Sequence, residues 1–333
     1  MSNLKTMCQK LIVVFLALSL FSCKKKDTTE PPINVNLPPL LEQSVSPVTT
    51  DAAINIFTDN HYVYFKRDIT ALNRLCIFLP GSGAKPENYK LFVQKAGSMG
   101  YHTFGLMYPN PSGIYNNGTC ETSPDNDCFY KLRLETMRGT DESTLIDVNA
   151  ANSIISRVKK LIQYLQTQYP TDNWGQYVQS NGDLAWSKIV FAGHSQGAGH
   201  SVFITKFYPI ARAVMLSNKD FNTVSNLPAG WYALPNVSTT NNIFAFTHTN
   251  DEYADQQIVW NKLGLASFGG IVNIDGASIP YSNTRRLTSL VPPAQLSGSV
   301  VGAHASVAAD AYTPKDASGK PVFDKVWEYM LTF

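Results

Sequence analysis

The stretch at positions 188–200, Lys-Ile-Val-Phe-Ala-Gly-His-Ser-Gln-Gly-Ala-Gly-His, constrains this chain more than any other. Ile189, Val190 and Phe191 read as the body of a short buried strand over residues 188–191. Gly193-His194-Ser195-Gln196-Gly197 then fits the pattern G-x-S-x-G, and residues 198–207 can continue as a helix. A serine at the tip of a strand-turn-helix junction sits in a strained backbone conformation. That strain is tolerated where its neighbours carry almost no side chain. Gly193 and Gly197 meet that need, so the hydroxyl of Ser195 is expected to point out of the sheet as a nucleophile.

A serine hydroxyl is a poor nucleophile unless a base takes its proton. The chain has six histidines, and His200, His248 and His304 follow Ser195. His200 lies along the same helix and cannot easily reach back to the hydroxyl. His248 ends a strand, where it can line a pocket. His304, in Gly302-Ala303-His304-Ala305-Ser306, follows the last strand in a small-residue loop, the place of the base in the order nucleophile, acid, histidine. The third member must orient the imidazole and stabilise its cation. Asp220, Asp251, Glu252, Asp255 and Asp275 lie between Ser195 and His304. Asp251 follows the strand at 243–246 almost directly, and Asp220, its rival, follows the preceding strand in the same manner. For the oxyanion, the backbone N–H of Gln196 and that of Ser82, in the turn after the strand at 75–79, are the expected donors. His194 and His248 are candidate substrate-binding residues.

The remaining chain supplies a frame. Residues 55–57 and 62–66 read as opening antiparallel strands. Leu75-Cys76-Ile77-Phe78-Leu79 has no polar alternation, as befits a strand buried on both faces. A helix is expected from Pro86-Glu87-Asn88 through residue 96, then a strand over 101–108 and a loop over 110–126. Ile146, Val148, Ile154, Ile155, Val158, Leu161, Ile162 and Leu165 recur at helical spacing and predict one long helix over 141–168. Strands follow at 211–216, 243–246 and 285–289. Strands alternating with helices argue a mainly parallel sheet covered on both faces.

The start of the chain reads as an address. Lys5 and Lys10 precede an apolar run over 11–21 that is short for a bilayer span. Leu20-Phe21-Ser22-Cys23 resembles the lipobox of bacterial lipoproteins. Residues 1–22 are therefore expected to be a lipoprotein-type signal peptide, Cys23 the lipidated residue, and 23–50 a flexible tether to a membrane. An ordinary cleaved signal peptide and an uncleaved anchor are the alternatives. Each exports residues 51–333, read as the catalytic domain. Cys76 is expected to be a buried unreactive thiol, and Cys120 and Cys128 to form a disulfide in an oxidising compartment. No Cys/His cluster has zinc spacing, so a structural zinc is not expected, and the reading calls for no metal and no cofactor. Charged residues at 16% and a net charge of +2 argue against a nucleic-acid partner.

Leu79-Pro80-Gly81-Ser82-Gly83, the Ser195 motif, Asp251 and His304 together resemble the α/β-hydrolase superfamily. Residues 192–200 and Phe246-Thr247-His248-Thr249-Asn250-Asp251 are similar to a branch of exported, largely uncharacterised bacterial serine hydrolases. The resemblance implies a mostly parallel eight-stranded sheet with helices on both faces, a Ser-His-acid triad, and ester or amide hydrolysis. The turn after the strand at 75–79 lacks the His-Gly-Gly run of many lipases, so a lipase label does not transfer. The reading is an exported serine hydrolase of a small-molecule or polymer-linked carboxylic ester. Its alternatives are a peptidase, amidase or acyltransferase on the same triad, and a catalytically inactive surface-binding lipoprotein. Loops at 110–126, 218–241 and 255–280 are expected to wall the pocket, and their polar and aromatic content leans toward polar or sugar-linked esters.

Overall fold

The computed structural model describes residues 37–113, 119–218, 220–253, 256–295 and 302–333. The expected signal peptide and Cys23 lie outside the described residues. The strands are β1 (Leu40–Val45), β2 (His61–Lys66), β3 (Leu75–Leu79), β4 (His102–Gly105), β5 (Ile189–His194), β6 (Arg212–Leu216), β7 (Phe221–Asn222), β8 (Leu227–Pro228), β9 (Ile243–His248), β10 (Ile271–Asn273) and β11 (Arg286–Ser289). Nine of them form one sheet in the order β1-β2-β4-β3-β5-β6-β9-β11-β10, while β7 and β8 form a separate ribbon. β2 runs antiparallel to both β1 and β4, and every other pairing in the large sheet is parallel. That order, with the second strand reversed, is the α/β-hydrolase fold. The short edge strand β10 makes nine strands where eight were expected.

The helices are α1 (Pro47–Thr50), α2 (Lys90–Ser98), α3 (Cys128–Arg138), α4 (Ile154–Gln168), α5 (Gln196–Phe203), α6 (Gln257–Lys262), α7 (Gly302–Ser306) and α8 (Asp324–Leu331). The central strands divide their side chains between two cores with the period of two that the pleat imposes. Leu75, Ile77 and Leu79 of β3 pack with Leu132 of α3, Val158 and Leu161 of α4, and Val202 of α5. Cys76 and Phe78 face the opposite way, toward Phe92 and Ala96 of α2 and Trp327 and Met330 of α8. Each fully buried Leu, Ile or Phe contributes about 1.5–3 kcal/mol of transfer free energy, so an uninterrupted apolar strand is stable only between two helix layers. Cys76 is free and buried, with its thiol pushed far above its ordinary pKa by desolvation. Cys120 and Cys128 form the expected disulfide at the start of α3.

Several boundaries differ from the sequence reading. The compact unit starts at Pro38 rather than at 51, because β1 lies within the stretch read as tether. In β1, Leu41 and Val45 are buried while Glu42 and Ser44 are exposed, the alternation of an edge strand. Residues 55–57 form no strand; the N–H groups of Asn55 and Ile56 go to Oδ1 of Asn152 at 3.2 and 3.4 Å. The long helix expected over 141–168 begins only at Ile154. Glu135 draws the preceding residues into a loop by accepting the N–H groups of Glu142, Ser143 and Val148 at 3.1, 2.8 and 2.9 Å. Ser153 then caps α4 by accepting the N–H of Ser156.

Burial leaves its mark on four histidines. It pushes His61 down to about 3, His102 to about 4 and His194 to about 3, and it takes His200 well below the ordinary value. These rings stay neutral in the folded protein while the unfolded chain protonates them below about pH 6.5. The unfolded state then binds more protons, so stability is lost as pH falls, by up to about 1.4 kcal/mol per pH unit for each ring. The urea midpoint is expected to drop between pH 6.5 and pH 4.5 at constant m-value. A midpoint independent of pH across that range would contradict the burial of these rings.

Candidate active site

The backbone at Ser195 has φ 53 and ψ −118, between the end of β5 and the first turn of α5. A Cβ on Gly193 would lie 2.4 Å from the carbonyl carbon of Gly197, and one on Gly197 would lie 2.0 Å from Leu79 O. Strand, helix and the end of β3 therefore converge at a distance that only glycine permits. The Ser195 N–H donates to Leu216 O at 2.9 Å, tying the turn to β6. Ser195 itself is 8% exposed and lines a cavity.

His304 lies in α7, and its Nδ1 is 2.8 Å from Oδ2 of Asp251, just beyond β9. Asp251 also accepts the hydroxyl of Thr247 at 3.0 Å and the N–H of Tyr253 at 2.9 Å. Burial alone would raise its pKa, but His304, the N–H of Tyr253 and the Ser217 hydroxyl outweigh burial and hold the carboxyl down at about 2. The carboxylate thus accepts a hydrogen bond from Nδ1–H and leaves the opposite ring nitrogen as the one without a proton. Nε2 of His304 is buried and has no hydrogen-bond partner among the described residues.

Asp220 is occupied elsewhere. Its carboxylate accepts Nε and Nη2 of Arg133, both at 2.5 Å, and Nε1 of Trp231 at 2.8 Å. Arg133 in turn donates from Nη1 to Gln196 O at 3.1 Å, and Gly199 leaves room for the guanidinium. A buried ion pair of this kind props the first turn of α5. Of the two rival carboxylates, Asp251 meets the imidazole and Asp220 does not.

The turn after β3 closes over the same spot. The Gly81 N–H donates to the Tyr89 hydroxyl at 3.2 Å, and that of Gly83 to Asn110 O at 2.7 Å. Asn110 Nδ2 returns bonds to the carbonyls of Gly81 and Ala84 at 2.6 and 2.8 Å. Ser82, between them, donates its hydroxyl to Oε1 of Gln196 at 2.8 Å. The two residues expected to supply the oxyanion donors are thus joined side chain to side chain.

His194 lines the cavity, but both its ring nitrogens are committed. Nδ1 accepts the Tyr89 hydroxyl at 3.0 Å and Nε2 donates to His304 O at 3.0 Å. Desolvation, aided by His304, keeps the ring neutral. His248 departs from the expectation of a substrate contact. Its Nδ1 accepts the N–H of Asn250 at 3.0 Å and its Nε2 donates to Val291 O at 3.2 Å. Those bonds turn the ring to a separate small pocket beside Gln256 and Trp260.

The cavity at Ser195 has a volume of about 470 Å³. Its walls differ from the expected loops. Ser112 and Gly113 come from the 110–126 excursion, but no described residue of 218–241 or 256–280 lines it. The segment after His304 supplies that wall instead, including Ala305, Ala309, Asp310 and Tyr312. Nothing in the sequence marked it beyond its closeness to His304. Glu87 and Asp310 also line the cavity, and no Lys or Arg does so among the described residues. Asp310 accepts the N–H groups of Lys90 and Leu91 at 2.9 and 3.1 Å, and burial pushes its carboxyl up to about 6. Among the described residues no group of three or more His, Cys, Asp or Glu is placed to hold a metal ion.

No protein-family model and no curated protein matches the chain. Among solved structures it is similar to a protein assigned as a dienelactone hydrolase from Klebsiella pneumoniae subsp. pneumoniae, at 10% identity and a TM-score of 0.37, covering 75% of this chain and 85% of that one. It is also similar to an alpha/beta hydrolase enzyme from a Medee basin deep-sea metagenome library, at 9% identity and a TM-score of 0.37, covering 76% and 82%. The strand order described above, rather than these scores, carries the fold assignment.

The two carboxylates are separable by experiment. Asp251→Asn is expected to lower hydrolytic turnover by on the order of 10⁴, the loss a wrong imidazole tautomer causes in serine proteases, with little change in stability. Asp220→Asn is expected to cost about 3–5 kcal/mol of stability, because it strands the Arg133 charge. Turnover assays beside urea unfolding of both variants read this, and the reverse pattern would exchange the two roles.

Proposed function

We propose that this protein is an exported serine hydrolase that cleaves a carboxylic ester through an acyl-enzyme. The observation that carries the reading is the pairing of Asp251, at 2.8 Å, with His304, which lines the same cavity as Ser195 on its strained turn. Ser195 attacks the ester carbonyl while Nε2 of His304 takes the hydroxyl proton. The N–H groups of Gln196 and Ser82 receive the oxyanion. His304 then passes the proton to the leaving alcohol, and the acyl group stays on Ser195. Water deprotonated by His304 repeats the attack, releasing the acid and restoring the serine. Asp251 orients the ring and stabilises its cation in both halves. In the same reading Cys23 carries lipid and holds the domain at a bacterial membrane, on its extracytoplasmic side. Among the described residues no helix is long and apolar enough to cross a membrane.

Labelling of purified protein by a fluorophosphonate probe tests the nucleophile. The wild type is expected to label, and Ser195→Ala and His304→Ala to lose labelling. A well-folded wild type that fails to label would favour a surface-binding protein on a hydrolase scaffold. A panel of esters, amides and acyl acceptors then separates hydrolase from peptidase, amidase or acyltransferase.

The charge of the cavity sets a second expectation. Glu87 and Asp310 line the cavity, where no Lys or Arg joins them among the described residues, and Lys90 and Lys315 offset the Asp310 charge only from outside that lining. Esters bearing a carboxylate or phosphate are expected to show a kcat/KM at least about tenfold below neutral esters of the same size, since like charges brought together cost free energy. Equal rates for the two series would remove the carboxylates from substrate selection.

A further inference from the structure

Two adjacent carboxylates leave the end of β9, and they grip the segment of the base at different points. Asp251 takes the ring of His304. Glu252 takes its backbone, with Oε1 accepting the N–H of Ala303 at 2.9 Å and Oε2 that of His304 at 2.8 Å. From the other side, the carbonyl of His304 accepts Nε2–H of His194 at 3.0 Å. Both peptide groups of the same residue are thereby held by side chains next to the candidate acid and the candidate nucleophile.

α7 has only the residues Gly302–Ser306, too short to hold itself by helical hydrogen bonds. Its first N–H groups have no partner within the helix and need an outside acceptor. The bond from Asp251 and the rings of His194 and Tyr253, with centroids 4.8 and 4.7 Å away, orient the imidazole. The two oxygens of Glu252 add a hold on the peptide N–H groups that set where the backbone carrying that ring sits.

We propose that Glu252 is a positioning residue that fixes His304 against Ser195 through the peptide N–H groups of residues 303 and 304. This rests on the reading of Ser195, His304 and Asp251 as a triad. A displacement of about 1 Å between reacting groups costs on the order of 10²-fold in rate, so the effect falls on turnover rather than on substrate binding.

The test compares Glu252→Ala and Glu252→Gln with wild type in the full chain, using p-nitrophenyl acetate turnover, fluorophosphonate labelling rate and thermal unfolding. Glu252→Ala is expected to lower kcat about tenfold to a hundredfold with KM within about threefold, and labelling is expected to slow in parallel. Glu252→Gln keeps one oxygen acceptor and is expected to recover part of that loss. An Ala variant with wild-type kcat overturns the proposal. So does a loss confined to KM, or one that matches the loss of folded protein with Gln no better than Ala. Wild-type labelling that is absent in Ser195→Ala shows the triad reading standing independently of that result. A wild type that neither labels nor turns over overturns both.

Discussion

The site depends on the absence of two Cβ atoms. At Gly193 and Gly197 the backbones of β5, α5 and the end of β3 approach until no side chain fits between them. That convergence forces Ser195 to φ 53, a conformation that costs on the order of 1–3 kcal/mol for a residue with a side chain. The surrounding structure offsets this through the bond from Ser195 N–H to Leu216 O and through a strand whose six residues are all buried. The same approach brings the turn after β3 beside the first turn of α5. Gly81 is the third small residue of the arrangement, with its virtual Cβ 3.1 Å from both His194 Nδ1 and the Tyr89 hydroxyl.

Around this junction the polar groups form a connected scaffold of neutral bonds and one buried ion pair. Gly81 N–H, Tyr89, His194 and His304 O make a continuous chain from the turn after β3 to the backbone of His304. Burial keeps the His194 ring neutral, so the chain persists through the neutral pH range. Below it, Arg133 and Asp220 fix the carbonyl side of Gln196. A buried ion pair adds little net stability over well-packed apolar residues, because desolvation consumes most of the attraction. What this pair contributes is geometry, since the guanidinium can meet the carboxylate and Gln196 O together only in one placement of α5.

The strand-turn-helix at 188–203 was legible because its apolar run, its glycines and its serine are all local requirements of one turn. β3 was legible because burial on both faces removes polar alternation. Local pattern failed where a distant carboxylate took over the backbone. Ile146 and Val148 keep helical spacing, yet Glu135 holds residues 142–148 as a loop. β1 was hidden because a short edge strand buries few side chains, and the prolines before it resemble those of a linker. The cavity wall at 305–312 was hidden because small and polar residues there carry no periodic signal.

By itself the sequence determined the central strands, the strand-turn-helix around Ser195, and which residue types stand after those strands. Those features follow from side-chain volume, backbone freedom and the periods of helix and strand, all properties of neighbours in the chain. Tertiary structure alone decided between Asp220 and Asp251. Both follow a parallel strand in the same manner, and only the positions of Arg133 and His304 distinguish them. It also decided that His248 turns to its own loop and that Glu252 reaches the backbone of residues 303 and 304. These are contacts between segments far apart in sequence, fixed by how the sheet stacks its strand ends, and no local pattern encodes them.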